Sequence, residues 1–410
     1  MGYWKDYEIE QEEKWAKGYL APEPNDKFVC TSHFRNKYLQ RYIRRNSHVG
    51  VCSYCRKSTA VLDMADFMEY VGTRITNFLG PIDDENMYLS SSFLDKNEEE
   101  GIPGWVERGP YLAPEDAMYY EDVEELMSDF DLTTDDEKLN GDIAYCFNVN
   151  QWIRRDPITA LMKDELMQSW QNFSYLVKTK MRYTFFRGDD YYIGSGFIPE
   201  FKTDIIAEVS ALVRLLEDSI DIGTRLYRGR PEDNQAPFTT FDSLTAPPAS
   251  AAKENRMSPY GISMFYGSFD NDTPIQEIKN YLEDKANIIY VGEFEITKKL
   301  KVINLCNIPI PNFWMEDEDD WQRYAFLHNF HSQISKLLDK NDSKLEYIPS
   351  QVFCEYLRFI QKAKDGDAYD GIVYSSSLTG KKNIALFYDN KASADILNLK
   401  NVKVSKIDYS

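Results

Sequence analysis

Residues 256–277 read RMSPYGISMFYGSFDNDTPIQE. The stretch carries a guanidinium at Arg256, a phenol at Tyr266 and a carboxylate at Glu277. Between them lie a Pro259-x-Gly261 turn, a short aromatic strand ending at Tyr266 and the first turns of a helix. A guanidinium can fork onto phosphate oxygens. A carboxylate can grip ribose hydroxyls or steady positive charge growing on a sugar. The set suits an anionic, sugar-containing substrate.

Three further segments carry matching residue types. TRLYRGR (224–230) reads as a strand, and alternation sets Arg225 and Tyr227 on one face and Arg228 and Arg230 on the other. YIPSQVFCEYLR reads as a helix entered at Pro349-Ser350, with Glu355 and Arg358 inside it. YDGIVYSSSLTGKKNIALF reads as a strand, a serine-rich turn and a second strand. Singly, such an arginine is usually a surface ion-pair partner, such a tyrosine a packed strand residue, such a glutamate a solvated helix residue, and three serines a turn.

A second cluster lies near the N-terminus. Cys30-x-x-His33 and Cys52-x-x-Cys55 have the spacing of two knuckles that can surround one zinc ion with four protein ligands. Such a site is structural, because no position is left for water. Gly50 is expected to permit a tight reversal before Cys52. The alternative is an unmetallated pair of turns. Cys146, Cys306 and Cys354 stand apart and read as buried small hydrophobes. The insert FRNKYLQRYIRRNSH is basic and aromatic, suited to a structural or partner-binding role. His328 and His331 share a helix face without an acidic or cysteine companion at a matching offset, and read as ordinary packing and surface residues.

Positioning these residues requires two kinds of scaffold. Residues about 61–82 show helical apolar spacing and stop at Gly80-Pro81. PEDAMYYEDVEELMSDF reads as a short helix, and longer helices are expected near 157–180 and 203–220. After Gly223 short β-rich runs alternate with helical ones. The expected fold class is α+β, with a helical zinc-stabilised N-terminal half followed by a mixed α/β C-terminal domain. The division is 1–60, 61–195 and 220–410.

The net charge of −20 is concentrated. Residues 83–142 hold 20 acidic and 3 basic side chains, so that segment carries −17. It reads as a solvated, loop-rich face or a contact for a basic partner. No basic footprint of a nucleic-acid binder is present. No apolar run reaches the roughly 20 residues of a membrane span, and no signal peptide is evident. A soluble cytoplasmic protein is expected.

The C-terminal motifs resemble the RES domain, over about residues 220–410. The matching elements are Arg256, Pro259-x-Gly261-Ile262, Tyr266, Thr273 to Glu277, Asp370-Gly371-Ile372-x-Tyr374-x-Ser376, and the strand Asn383 to Phe387. Beside the arginine, Asn255 and Ser258 stand where the family often has Gly and Asn. RES domains are similar to ADP-ribosyltransferases and are known as toxins that destroy NAD+ by hydrolysis or phosphorolysis. The resemblance implies an ADP-ribosyltransferase-like fold and a catalytic set of Arg256, Tyr266, Glu277 and Ser376. Arg228 and Ser375 would support NAD+ binding, and Ser375 and Ser377 rival Ser376 as the family serine. It further implies phosphate as a co-substrate and an antitoxin or activating protein as partner; self-association is left open. The alternatives are ADP-ribosyl transfer to a macromolecule, or nucleotide sensing without turnover. The N-terminal part is similar to a treble-clef zinc module and to the HEPN-type domain found ahead of some RES domains. Arg41 and His48 fit the loose Arg-x6-His spacing of HEPN ribonucleases, and a structural role is favoured over that activity.

Overall fold

A computed structural model describes residues 18, 26–81, 118–155, 161–186, 205–232, 237–281, 288–336 and 344–406. The chain divides into two compact units, residues 1–161 with 312–318, and residues 162–311 with 319–410. Mixed helix and strand run through both, as an α+β fold.

In the first unit, β1 (Phe28–Cys30), β2 (His48–Val51) and β3 (Ser58–Asp63) form an antiparallel sheet in the order β1-β3-β2. Helix α1 (Lys37–Asn46) starts where the Asn36 side chain accepts from Tyr38 N and Leu39 N, satisfying amides left open at a helix start. Helix α2 (Met64–Phe78) is capped in the same way by Asp63. The helical stretch expected over 61–82 therefore begins as the end of β3 and finishes in β4 (Leu79–Pro81). β4 pairs with β6 (Trp152–Arg154), and β6 with β5 (Tyr119–Tyr120). Helices α3 (Val123–Asp129) and α4 (Glu137–Tyr145) complete the unit. They belong to the acidic segment, whose residues 83–117 lie outside the described part.

Residues 312–318, distant in sequence, are built into this unit. Trp314 is buried and donates its indole N–H to Phe130 O over 2.6 Å. The Arg74 guanidinium donates to the carbonyls of Phe313 and Met315, 2.7 Å each. These bonds satisfy backbone groups of an irregular segment whose tryptophan packs in the core.

The second unit begins with α5 (Met162–Thr179), which lies in the range first assigned to the N-terminal half. Next come α6 (Ile205–Val213) and β7 (Glu217–Ile220). The helix expected over 203–220 thus ends early. Its last residues pair antiparallel with β11 (Leu300–Asn304), because an open sheet edge offers ladder hydrogen bonds that outweigh local helical pattern. The remaining strands are β8 (Arg225–Pro231), β9 (Phe265–Ser268), β10 (Ile288–Ile296), β12 (Gly371–Ser375), β13 (Lys382–Leu386) and β14 (Leu397–Lys406). They make an eight-stranded sheet in the order β14-β10-β8-β9-β13-β12-β11-β7. Among the described pairs only β11 and β12 run parallel, which makes the sheet mixed.

One face of the sheet carries Phe265, Phe294, Val302, Val373, Ile384 and Leu386. The other packs Ile372, Tyr374 and Ala385 against α5, α6, α8 (Asp320–Ser335) and α9 (Ile348–Phe359), through Trp170, Phe330 and Phe353. Helix α7 (Thr273–Tyr281) lies against β8 and β10. Gly229 makes that approach feasible, since a Cβ there would stand 2.6 Å from Ile278 Cδ1. No described helix is long and apolar enough to cross a membrane.

Candidate active site and metal centre

Helix α7 sets the position of Glu277. Asp270 precedes it and accepts from Asp272 N and Thr273 N, while the Thr273 hydroxyl donates to Asp270 Oδ2 over 2.8 Å. Lys381, in the turn between β12 and β13, donates to Asp270 Oδ1 over 3.0 Å. Burial raises the Asp270 carboxyl, and the Thr273 and Lys381 hydrogen bonds more than reverse this, leaving it below the usual carboxylate range. One aspartate thus ties the helix carrying Glu277 to the turn carrying the serines. The sequence signal was the Asp270-x-x-Thr273 spacing of a helix start.

Across that junction Ser376 Oγ donates to Glu277 Oε1 over 2.6 Å. Of the three consecutive serines, Ser376 is buried and reaches Glu277, Ser377 is exposed, and the Ser375 hydroxyl faces Cys306 Sγ at 3.5 Å. The Ser375 amide donates to His331 Nε2 over 3.3 Å. His331 therefore supports the serine turn, beyond the ordinary packing its helix position suggested. Burial, then the nearby His328, hold its imidazole below the usual histidine value, which keeps Nε2 an acceptor. His328 is exposed. Cys146 and Cys354 are buried, and Cys306 is half-buried.

Arg228 projects from β8 and donates to Tyr266 O over 3.0 Å, with its guanidinium 5.6 Å from the centre of the Phe265 ring. Its Nε has no partner, and among the described residues no carboxylate pairs with it. Burial, then the Arg230 charge, push this guanidinium well below the usual arginine range. A cation held without a counter-ion favours binding of an anion. Tyr266 shares a hydrogen bond with Ser258 Oγ at 2.9 Å, and burial raises its phenol, so the hydroxyl stays protonated. Ser258, one of the two positions unlike the RES pattern, thereby holds the site tyrosine. Asn255, the other, lies outside the left-handed backbone region and needs no glycine.

Arg256 is differently placed. Its guanidinium donates to the carbonyls of Ile334 and Lys336, at the C-terminal end of α8, and lies 5.4 Å from the centre of the Tyr347 ring. These carbonyls have no partner within the helix, so a cation there caps it. Arg256 lines the cavity, with two of its nitrogens already engaged. In the YIPSQVFCEYLR segment, Glu355 and Arg358 do not line this cavity; Tyr347 does.

The cavity measures about 430 Å³ and brings together Arg228, Arg256, Tyr266, Glu277, Ser375 and Ser376. Tyr374 and Asn383, which sequence reasoning did not single out as site residues, also line it, with Glu254 as a second carboxylate. Burial raises the Tyr374 phenol strongly, with the Glu277 charge next.

In the first unit, Cys30, His33, Cys52 and Cys55 point their ligand atoms to one place, all within 4.8 Å of one another. Cys30 Sγ and Cys55 Sγ are 3.7 Å apart, and His33 Nε2 and Cys52 Sγ 3.3 Å. Ligands around a tetrahedral zinc, about 2.3 Å out for sulfur, stand about 3.5–3.8 Å from each other. The cluster fits a metal ion of that kind. β1, the turn Thr31–His33 and the turn after β2 hold it. Gly50 lies within β2 and makes no reversal; a Cβ there would meet Val61 Cγ2 at 2.7 Å. Arg41 pairs with Glu316, and the His48 ring packs edge-on against Phe28.

A RES-domain family model matches residues 225–405, and a model described as HEPN/RES N-terminal domain 1 matches residues 45–191. The protein carries a C-terminal RES domain preceded by a HEPN/RES N-terminal domain. Cys30 and His33 precede the matched part of the latter. No curated protein and no solved structure matches the chain.

Proposed function

We propose that this protein cleaves the N-glycosidic bond of NAD+ and releases nicotinamide, with water or phosphate taking the ribose carbon. The observation that carries this is the Glu277 carboxylate, held by two donors on one oxygen and lining a cavity that also holds Arg228, a guanidinium with no carboxylate partner among the described residues. Nicotinamide leaves a pyridinium as a neutral molecule, so no general acid is needed. The transition state resembles an oxocarbenium ion, which a fixed carboxylate stabilises electrostatically. Arg228 suits the pyrophosphate, and Tyr266 and Tyr374 offer aromatic walls for the nicotinamide riboside. Arg256 adds positive potential while bracing the loop of Asn255 and Ser258. The RES family is consistent with a toxin or defence effector acting inside the cell, restrained by an antitoxin or released by an activator.

Zinc at Cys30, His33, Cys52 and Cys55 has a structural role in this reading. Four protein ligands leave no place for a reacting water.

Proton NMR of purified protein with NAD+ tests the reading. Nicotinamide should appear with wild type, and Glu277→Ala should slow its release at least about 100-fold. Dependence on added phosphate separates phosphorolysis from hydrolysis. Labelled protein or nucleic acid in place of free ADP-ribose would replace the reading by ADP-ribosyl transfer, and absence of nicotinamide would overturn it.

A further inference from the structure

Asn383, the second residue of β13, completes the hydrogen-bond group around Glu277. It is 4% exposed and donates Nδ2 to Glu277 Oε1 over 2.8 Å. Chemistry fixes the amide's orientation. A carboxylate only accepts, so the NH2 end faces Glu277 and Oδ1 faces away. That oxygen is buried without a partner among the described residues, so the amide is placed there at some cost to the fold. Ser376 Oγ donates to the same Oε1, which leaves Oε2 without a donor among the described residues.

We infer that Asn383 is a positioning residue of the site, holding Glu277 turned so that Oε2 is the oxygen presented to substrate. Two neutral donors fix the carboxylate's orientation without cancelling the negative charge the chemistry uses. A cation paired with Glu277 would have cancelled it. The other charged and titratable groups around Glu277 are Tyr227 and Arg228 of β8, Tyr266 of β9, Tyr374 of β12, and Glu254 and Arg256 of the preceding loop, all lining the same cavity. β10 presents Ile289 and Val291 to the helix. Among the described residues only Ser376 and Asn383 donate to Glu277. The substrate-facing part of this inference rests on the NAD+ reading; the hold on Glu277 does not.

Two variants test it. Asn383→Asp keeps the shape and sets a second carboxylate against Glu277, so the pair titrates as a coupled dyad. Asn383→Leu removes the donor without adding charge. In 13C-carboxyl NMR at pH 7, the resonance absent from Glu277→Gln protein should move from its wild-type position in both variants, because each removes the amide donor to Oε1. Nicotinamide release by Asn383→Asp should fall at least about 10-fold in kcat above the dyad's upper apparent pKa, with KM within about 3-fold. It should recover below that pH, where the added proton replaces the amide hydrogen; Asn383→Leu should show no recovery. An unmoved Glu277 resonance in both variants would overturn the inference. If wild type releases no nicotinamide, the NAD+ reading falls and the position of the Glu277 resonance alone decides whether Asn383 holds Glu277.

Discussion

The hydroxyl of Ser376 donates to Oε1 of Glu277 across 2.6 Å, joining two residues 99 positions apart. The bond ties helix α7 to the turn after β12. A hydrogen bond to a carboxylate is worth about 1.5–3 kcal/mol, which sets the scale of its loss. Ser376→Ala should lower kcat for nicotinamide release about 10- to 100-fold. Ser375→Ala and Ser377→Ala should stay within about 5-fold of wild type, because neither hydroxyl reaches Glu277. Steady-state kinetics on the three variants checks this.

Arg228 and Arg256 should separate by the kind of damage they cause. Arg228 has no acidic partner among the described residues, so Arg228→Ala should leave stability within about 1 kcal/mol and raise KM for NAD+ at least about 10-fold. Arg256 closes the end of α8, so Arg256→Ala should cost about 2 kcal/mol in urea unfolding whatever its kinetic effect. Equal destabilisation by the two variants would refute the contrast.

His331 gives the RES-domain unit an acid-sensitive point. Its folded value lies below the unfolded one, so below about pH 6.5 the unfolded chain binds more protons. The stability it contributes is fully present above the unfolded value and is lost as pH falls toward the folded value. Protonation also removes the acceptor for the Ser375 amide. His331→Gln keeps a neutral side chain, and its melting temperature should fall less than that of wild type between pH 7 and pH 5.5.

The cysteine–histidine cluster should take up one equivalent of zinc, measured by elemental analysis. Cys52→Ser or chelation should unfold the β1–β3 region while leaving the eight-stranded sheet intact, since the cluster closes two turns of a small sheet. Hydrogen exchange resolves the two regions. Protection lost equally in both would contradict a local structural role.

Trp314 belongs to the core of the first unit although the segments on either side of residues 312–318 belong to the second. Trp314→Ala should cost about 3–5 kcal/mol in that unit, from a buried ring and an indole hydrogen bond. Trp314→Phe should recover most of the packing term and not the bond to Phe130 O. Chemical unfolding followed by tryptophan-independent circular dichroism provides the comparison.

The sequence by itself picked out the candidate site residues. Arg228, Arg256, Tyr266, Glu277 and Ser376 sit in short motifs whose order and local form are legible, because turns and alternating strands are set by neighbouring residues. The two cysteine–histidine knuckles were legible for the same reason. Tertiary structure decided what local pattern cannot encode. It chose Ser376 among three serines, through a partner on another element. It engaged Nη1 and Nη2 of Arg256 with a helix end and, among the described residues, left Arg228 without a counter-ion. It recruited Asn383, Asp270 and His331, whose roles exist only across sheet and helix contacts. It turned Glu217–Ile220 from helix to strand, and paired β14, a strand absent from the sequence reading, along β10. It also placed residues 312–318 in the first unit, since a buried tryptophan is held by the core it enters and chain order has no say in that.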